Sequence, residues 1–276
     1  MTLFGDIMKI CIIGKSKRFE VLKSNLVKRN IEIQSIESAD KLPENINADY
    51  IILPIPTSLK DGRINLEGAN PDLTAGRVLD RVRNQTVVIA CNYTDERFHT
   101  VDLNTREDFA FLNAIPTAEG AINAAVTSCS YSLFYGKILI TGFGRVAKIL
   151  ADRLKGLKCN ITIAARSLKD LSYAKALGFD TVNIGNLENE IYRFNLIFQT
   201  VPCPILTSEV LDKTKTDAVI IELSSKSAGT DYVYAEEIGK KVIHAQALPE
   251  KVAPLTAGNI LTESVLSIIA ESKTIA

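Results

Sequence analysis

Residues 137–167 read KILITGFGRVAKILADRLKGLKCNITIAARS, and this stretch decides the fold. Lys137–Thr141 is a short β-branched run. The turn Gly142-Phe143-Gly144-Arg145-Val146-Ala147 follows, in the pattern G-x-G-x-x-A. Val146, Ile149, Leu150, Leu154 and Leu157 then recur at helical spacing, and 160–165 is a second apolar strand. Strand, glycine turn, helix and strand form the context in which this turn binds a dinucleotide. Gly142 makes the tight turn. Gly144 has no Cβ, so the backbone can approach a pyrophosphate, and Ala147 lets the helix pack closely on the strand. The free N–H groups and the dipole at the helix start favour the anion. The expected cofactor contacts here are Gly142, Phe143, Gly144, Arg145 and Val146.

The end of the second strand selects the cofactor. An acidic residue there bonds the ribose 2′-hydroxyl of NAD, whereas NADP needs a cation for its 2′-phosphate. Arg166 occupies that place, with Ser167 and Lys169 beside it. Arginine offers a planar fork of donors suited to phosphate. NADP is therefore expected, with NAD as the alternative. Arg166 grips the 2′-phosphate or stacks on the adenine of either cofactor. Ser167 either joins it or caps the next helix through Asp170.

Composition bounds the rest. The chain has 276 residues, 46% hydrophobic and 23% charged, enough for two modest domains. Formal net charge is zero, which gives no electrostatic support to a nucleic-acid partner. No apolar run reaches the ~20 residues of a transmembrane helix. The N-terminus does not read as a signal peptide, and a cytoplasmic location is expected. Five cysteines lie at long spacings without a C-x-x-C pair, and histidines number two, so no metal site or disulfide is expected.

Before residue 115 the chain reads as a second α/β unit. Strands are expected at 9–13, 31–35, 49–54, 86–90 and 109–112, with helices over 18–29 and 72–82. The first turn, Gly14-Lys15-Ser16, has one glycine, so this half reads as a degenerate flavodoxin- or Rossmann-like domain without a cofactor. Residues 1–115 form this substrate or partner domain. Residues 116–256 form the dinucleotide-binding domain, opened by an interdomain helix over 116–134. A final helix, 257–276, returns to the first domain. The whole chain is α/β, with two Rossmann-like domains. Pro116-Thr117 with Glu119 reads as a helix start. Thr117 and Glu119 then either cap that helix or face the substrate cleft. Ligands bind beyond the carboxyl ends of parallel strands, so Thr200, Val201 and Pro202 are expected to edge the cofactor.

NAIPTAEGAI, ITGFGRVAKILA, AARS, QTVPCPIL, ELSSKSAGTDYVYAEEIG and ALPEKVAPLTAGNIL stand in this order. Together they resemble the A subunits of dipicolinate synthase over nearly the whole chain. More widely the layout resembles the alanine dehydrogenase and 2-hydroxyacid dehydrogenase group. The resemblance implies a sporulation oxidoreductase, in the mother-cell cytoplasm, that forms dipicolinate from dihydrodipicolinate or its hydrated precursor. It implies a small cyclic dicarboxylate substrate and, for a partner, a flavoprotein-like B subunit; it leaves room for a homo-oligomer. It also implies that Thr200, Val201, Pro202, Ser224, Leu248, Pro249 and Ala253 hold the nicotinamide. Lys226 is the first candidate cation for the substrate carboxylates, with Ser225, Thr230 and Thr256 as hydroxyl donors. Glu119 is a candidate proton acceptor. Two departures stand out: Lys226 keeps a charge without a bidentate fork, and Glu250 stands where glycine is common. The competing readings are another NAD(P)-dependent amino-acid or 2-hydroxyacid dehydrogenase, and a nucleotide-binding subunit without turnover alone.

Overall fold

The structure, a computed structural model, describes residues 7–224 and 229–275. The chain divides into two compact units. One runs up to Leu112 and resumes at Ala253; the other is Asn113–Val252.

The first unit is built on a parallel sheet of β1 (Lys9–Ile13), β2 (Glu32–Ile36), β3 (Tyr50–Ile52), β4 (Val87–Ala90) and β5 (Thr100–Asp102), in the order β2-β1-β3-β4-β5. This is the flavodoxin-like order expected of the degenerate half. Helix α1 (Lys17–Val27) buries Phe19, Leu22 and Leu26, one face at 3–4-residue spacing. Those side chains share a core with Ile260, Leu261, Val265, Ile268 and Ile269. The latter belong to α9 (Pro254–Ile275), which brings the end of the chain back to this unit. Packing is close enough that a Cβ on Gly258 would lie 2.7 Å from Val21 Cγ1. On the other face, α2 is only Ala75–Leu79, capped by the Thr74 side chain, and not the longer 72–82 helix. The turns at Asn70 and Asp72 precede it, with Asn70 Oδ1 accepting from the Leu73 N–H at 2.9 Å.

The second unit holds β6 (Lys137–Thr141), β7 (Asn160–Ala165), β8 (Asp180–Asn183), β9 (Leu196–Gln199), β10 (Val219–Glu222) and β11 (Lys241–His244). Their order is β11-β10-β9-β6-β7-β8, the doubly wound dinucleotide order, with every pairing parallel. The order reverses between β6 and β9. Helix α4 (Arg145–Gly156) buries Ala147, Leu150, Ala151 and Leu154 against the sheet, and α5 (Leu168–Ala176) follows β7. Short helices α6 (Ser208–Asp212), α7 (Tyr232–Glu237) and α8 (Leu248–Val252) complete the unit. Among the described residues no helix is long and apolar enough to cross a membrane.

Two expectations fail in the middle of the chain. The strand at 109–112 and the helix start at Pro116 are both replaced by one helix, α3 (Glu107–Ser128). The run FAFL is apolar but short, and such a run does not separate strand from helix by pattern alone. Glu107 and Asp108 in the first turn favour the helix. Pro116 therefore lies inside the helix and cannot donate to the Leu112 carbonyl. The boundary between the units falls at that carbonyl.

Candidate functional site

The carboxyl edge of the second sheet is lined by polar residues from adjacent strands. In the parallel register Thr141 pairs with Gln199, and Gln199 pairs with Glu222. All three are fully buried. They close β6, β9 and β10, on either side of the point where strand order reverses.

Gly142 follows Thr141 with φ +79. A Cβ there would stand 2.7 Å from Val201 Cγ2 and 3.1 Å from Thr200 Oγ1, so the turn needs glycine on both counts. Its N–H donates to the Ala164 carbonyl at 2.7 Å. Gly144 is the N-cap of α4, and no side chain caps the helix among the described residues. A Cβ on Gly144 would meet nothing within 4 Å. Gly144 thus leaves open space at the start of α4, which has no side-chain cap among the described residues. The corresponding helix of the first unit differs. Ser16 Oγ accepts from the Phe19 N–H at 3.3 Å, and Pro54 Cγ would lie 3.3 Å from a Cβ on Gly14.

Phe143 points inward. Its ring packs edge-on against Tyr173 and Phe179, at 5.9 and 6.3 Å between centroids. It anchors the turn, so a ligand would meet its backbone rather than its ring. Arg145 and Val146 are half-buried in the first turn of α4. Arg166 and Lys169 are exposed after β7. Ser167 caps α5, with Oγ accepting from the Asp170 N–H at 3.4 Å. No acidic residue occupies the strand end.

The loop after β9 is tied to β6. Thr200 Oγ1 donates to the Thr141 carbonyl at 2.6 Å, and the Thr200 N–H donates to Thr141 Oγ1 at 3.2 Å. The Val201 N–H donates to Gln199 Oε1 at 3.1 Å; Pro202 is exposed. After β10, the Ser224 N–H donates to Glu222 Oε1 at 3.1 Å. Ser224 is 3% exposed, and its hydroxyl oxygen has no hydrogen-bond partner among the described residues. Ser225 and Lys226 lie outside the described residues. Leu248 and Pro249 are buried in α8, and the Leu248 side chain packs on Gly120 of α3. That side chain is core, which leaves only its backbone to a ligand. Ala253 follows α8 as the first residue of the returning segment.

Thr117 and Glu119 do not cap a helix. They lie along α3, where Thr117 Oγ1 donates to the Asn113 carbonyl at 2.7 Å and Glu119 is exposed. The residue pattern P-T-x-E fits an N-terminus, but the helix has already begun upstream, at Glu107. Thr230 is also reassigned from substrate donor to scaffold. It is buried, and its hydroxyl donates to Glu222 Oε2 at 2.8 Å. Thr256 is exposed on α9. His244 stacks on Tyr232 with 4.1 Å between ring centroids.

Gln199 and Glu222 were not legible as site residues. The one sequence signal was a carboxylate inside the apolar run AVIIEL at 218–223. Charged groups in such strands are buried at a cost unless hydrogen-bonded.

No protein-family model matches the chain. The A subunit of dipicolinate synthase from Bacillus subtilis (strain 168) is 30% identical over 232 residues, 81% of this chain and 78% of that protein. The crystal structure of the Bacillus subtilis dipicolinate synthase A subunit superimposes with a TM-score of 0.83 at 26% identity, covering 99% of each chain. The corresponding A subunit from Bacillus halodurans gives 0.86 at 24% identity, over 95% of this chain and 98% of that one. A transhydrogenase from Sinorhizobium meliloti, at 13% identity and 0.62, shares the fold over 94% and 93% of the two chains. With a dinucleotide-type sheet, its glycine turn and this likeness together, the chain belongs to the family of dipicolinate synthase A subunits, in the 2-hydroxyacid dehydrogenase-like fold.

Proposed function

We propose that the chain is an NADP-preferring oxidoreductase that forms dipicolinate from dihydrodipicolinate or its hydrated precursor, together with a flavoprotein-like B subunit. The observation that carries this reading is the glycine turn at Gly142–Gly144, where α4 starts with no side-chain cap among the described residues, one strand away from the exposed Arg166. The residues present fit a nicotinamide dinucleotide. Gly144 leaves room for a pyrophosphate, the α4 N-terminus lacks a side-chain cap, and the buried Ser224 hydroxyl lacks a partner among the described residues.

When bound, the nicotinamide supplies a hydride acceptor. The protein's own part is alignment. Gly142, Gly144 and the first turn of α4 take the pyrophosphate. Arg166 and Lys169 hold the 2′-phosphate, while Ser167 fixes the start of α5 beneath them. Thr200, Val201, Pro202 and Ser224 border the nicotinamide. Aromatisation removes a hydride and a proton from the dihydropyridine ring. The proton passes to water or to Glu119, which is exposed on α3. The relatives are A subunits, which implies a second, B component beside them.

Calorimetry with NADPH and NADH tests the cofactor assignment. NADPH should bind about tenfold tighter or better, the size of one charge-assisted contact. Equal or tighter NADH binding would remove Arg166 from the 2′-phosphate. For the reaction, the chain is mixed with freshly generated dihydrodipicolinate and NADP+, with and without the B subunit, and the hydride is counted as NADPH formed. Dipicolinate from the chain by itself supports an autonomous enzyme. Dipicolinate only with the B subunit supports a component without independent turnover. Its absence in both mixtures rules the reaction out.

A further inference from the structure

Three buried polar side chains link the two ends of the proposed cofactor site. Gln199 is the hub. Its Oε1 accepts from Thr141 Oγ1, in the residue before the glycine turn, and from the Val201 N–H at 3.1 Å. Its Nε2 donates to the Gly229 carbonyl at 2.9 Å. Glu222, the next residue across the sheet, holds the same region from the other side. One carboxylate oxygen accepts from the Ser224 N–H at 3.1 Å, the other from Thr230 Oγ1 at 2.8 Å. Gln199 and Glu222 have no solvent exposure. Burying a carboxylate this deeply is costly unless it is hydrogen-bonded, and here each oxygen accepts one bond, from Ser224 and from Thr230. The surrounding chain fits this purpose. The Gly229 carbonyl also accepts from the Ile205 and Leu206 N–H groups, at 3.0 and 2.9 Å. The same pair of residues thus ties Thr141 and Val201, which flank Gly142, to Ser224, Gly229 and Thr230.

We propose that Gln199 and Glu222 are positioning residues, which fix the buried Ser224 hydroxyl relative to the Gly142–Gly144 turn and so set affinity for the nicotinamide half of a dinucleotide. Neither needs to touch the cofactor. Glu222 acts through Ser224 and Thr230, Gln199 through Val201 and Gly229. The proposal rests on the reading of this edge as a nicotinamide-dinucleotide site. It adds that the Glu222 contacts hold the Ser224 end of the site in place, so that damage to them weakens the grip on nicotinamide while leaving the phosphate end intact.

The test uses the full chain and two substitutions. Thr230→Val removes one donor at constant shape, and Glu222→Gln removes the charge. Amide hydrogen exchange of the peptides around 219–224 and 229–235 is measured without ligand. Fluorescence titrations follow NADPH, and calorimetry follows 2′,5′-ADP as a probe of the phosphate end alone. Both variants should exchange faster at Ser224 and Thr230 and bind NADPH about five- to tenfold more weakly, with 2′,5′-ADP affinity unchanged. Thr230→Ser, which restores the hydroxyl, should recover both exchange and affinity. If Glu222→Gln does not fold, Thr230→Val with its serine rescue decides the matter. Wild-type exchange and wild-type NADPH affinity in folded Thr230→Val would overturn the proposal, as would equal losses for NADPH and 2′,5′-ADP. If the unmodified chain binds neither NADPH nor NADH, the cofactor reading itself fails. Accelerated exchange alone would then show a structural clasp and overturn the affinity role.

Discussion

A Cβ on Gly229 would stand 2.6 Å from Gln199 Cγ, and the Gln199 amide uses that proximity to donate to the Gly229 carbonyl at 2.9 Å. The contact requires both a glycine and a side chain of glutamine length. Gly229→Ala should destabilise the chain by about 1–3 kcal/mol through overpacking. In the double variant with Gln199→Ala the added methyl has space, so the two losses should be less than additive in a urea-denaturation cycle. Strict additivity would show that the two residues are not coupled.

The two glycines of the turn should respond differently. Gly142→Ala meets Val201 at 2.7 Å and adopts φ +79, so the folded state itself is strained, by roughly 1–2 kcal/mol for the backbone alone. Gly144 has an extended-side φ of −77, and its Cβ would enter open space. Gly144→Ala should keep the wild-type Tm and lose NADPH affinity, by about tenfold or more. A Gly144→Ala chain with intact affinity would show that no pyrophosphate approaches there.

Part of the acid sensitivity of the first unit should run through Arg106. Its guanidinium donates to both oxygens of Glu271 on α9, at 2.7 and 2.8 Å, and to Asp108 at 2.7 Å. This pairing holds the Glu271 carboxyl at about 2, down from an ordinary 4.5, and lowers Asp108 as well. A depressed value means that the unfolded chain takes up the proton first. The contribution of this pairing, small for an exposed pair, is therefore fully present above pH 4.5 and is lost as pH falls toward 2. Arg106→Met should flatten this loss in urea midpoints measured across the window. The flattening should be partial, since Arg97 holds Asp95 at about 2 in the same way. An unchanged slope would remove the Arg106 contacts as its source.

Thiol labelling should divide the cysteines by burial. Cys203 is exposed, whereas burial pushes the Cys11 and Cys91 thiols up to about 12. Only the thiolate reacts, so an aromatic disulfide reagent should modify Cys203 in the native protein and reach Cys11 and Cys91 only after unfolding. Cys203→Ser should remove the fast phase. Persistence of that phase would assign it to Cys129 or Cys159, which are half-buried.

The dinucleotide unit was readable because its signals are local. The glycine turn, the helical period after it and Arg166 all fall within one β-α-β stretch, and α4 and β7 form at the expected places. Elements without a strong local period were lost. Thr100–Asp102 is a three-residue, half-buried strand with no apolar alternation, and its place is set by pairing with β4. Residues 109–112 became helix because acidic residues upstream and a long alanine-rich stretch downstream outweigh a four-residue apolar run. The Gln199–Glu222 pair was hidden for another reason. Its partners lie up to 58 residues away in sequence, and only strand order brings β6, β9 and β10 side by side.

The return of α9 has a consequence for how the polypeptide becomes a protein. The second unit is one uninterrupted segment, Asn113–Val252, with all six strands of its sheet inside it. The first unit is made of both ends of the chain, and its core lacks Ile260, Leu261, Val265, Ile268 and Ile269 until the last helix exists. During synthesis the earlier-made sheet must wait with Phe19, Leu22 and Leu26 uncovered while the later-made unit can already close. The half translated first is thus closed only after the segment that follows the second unit has been made.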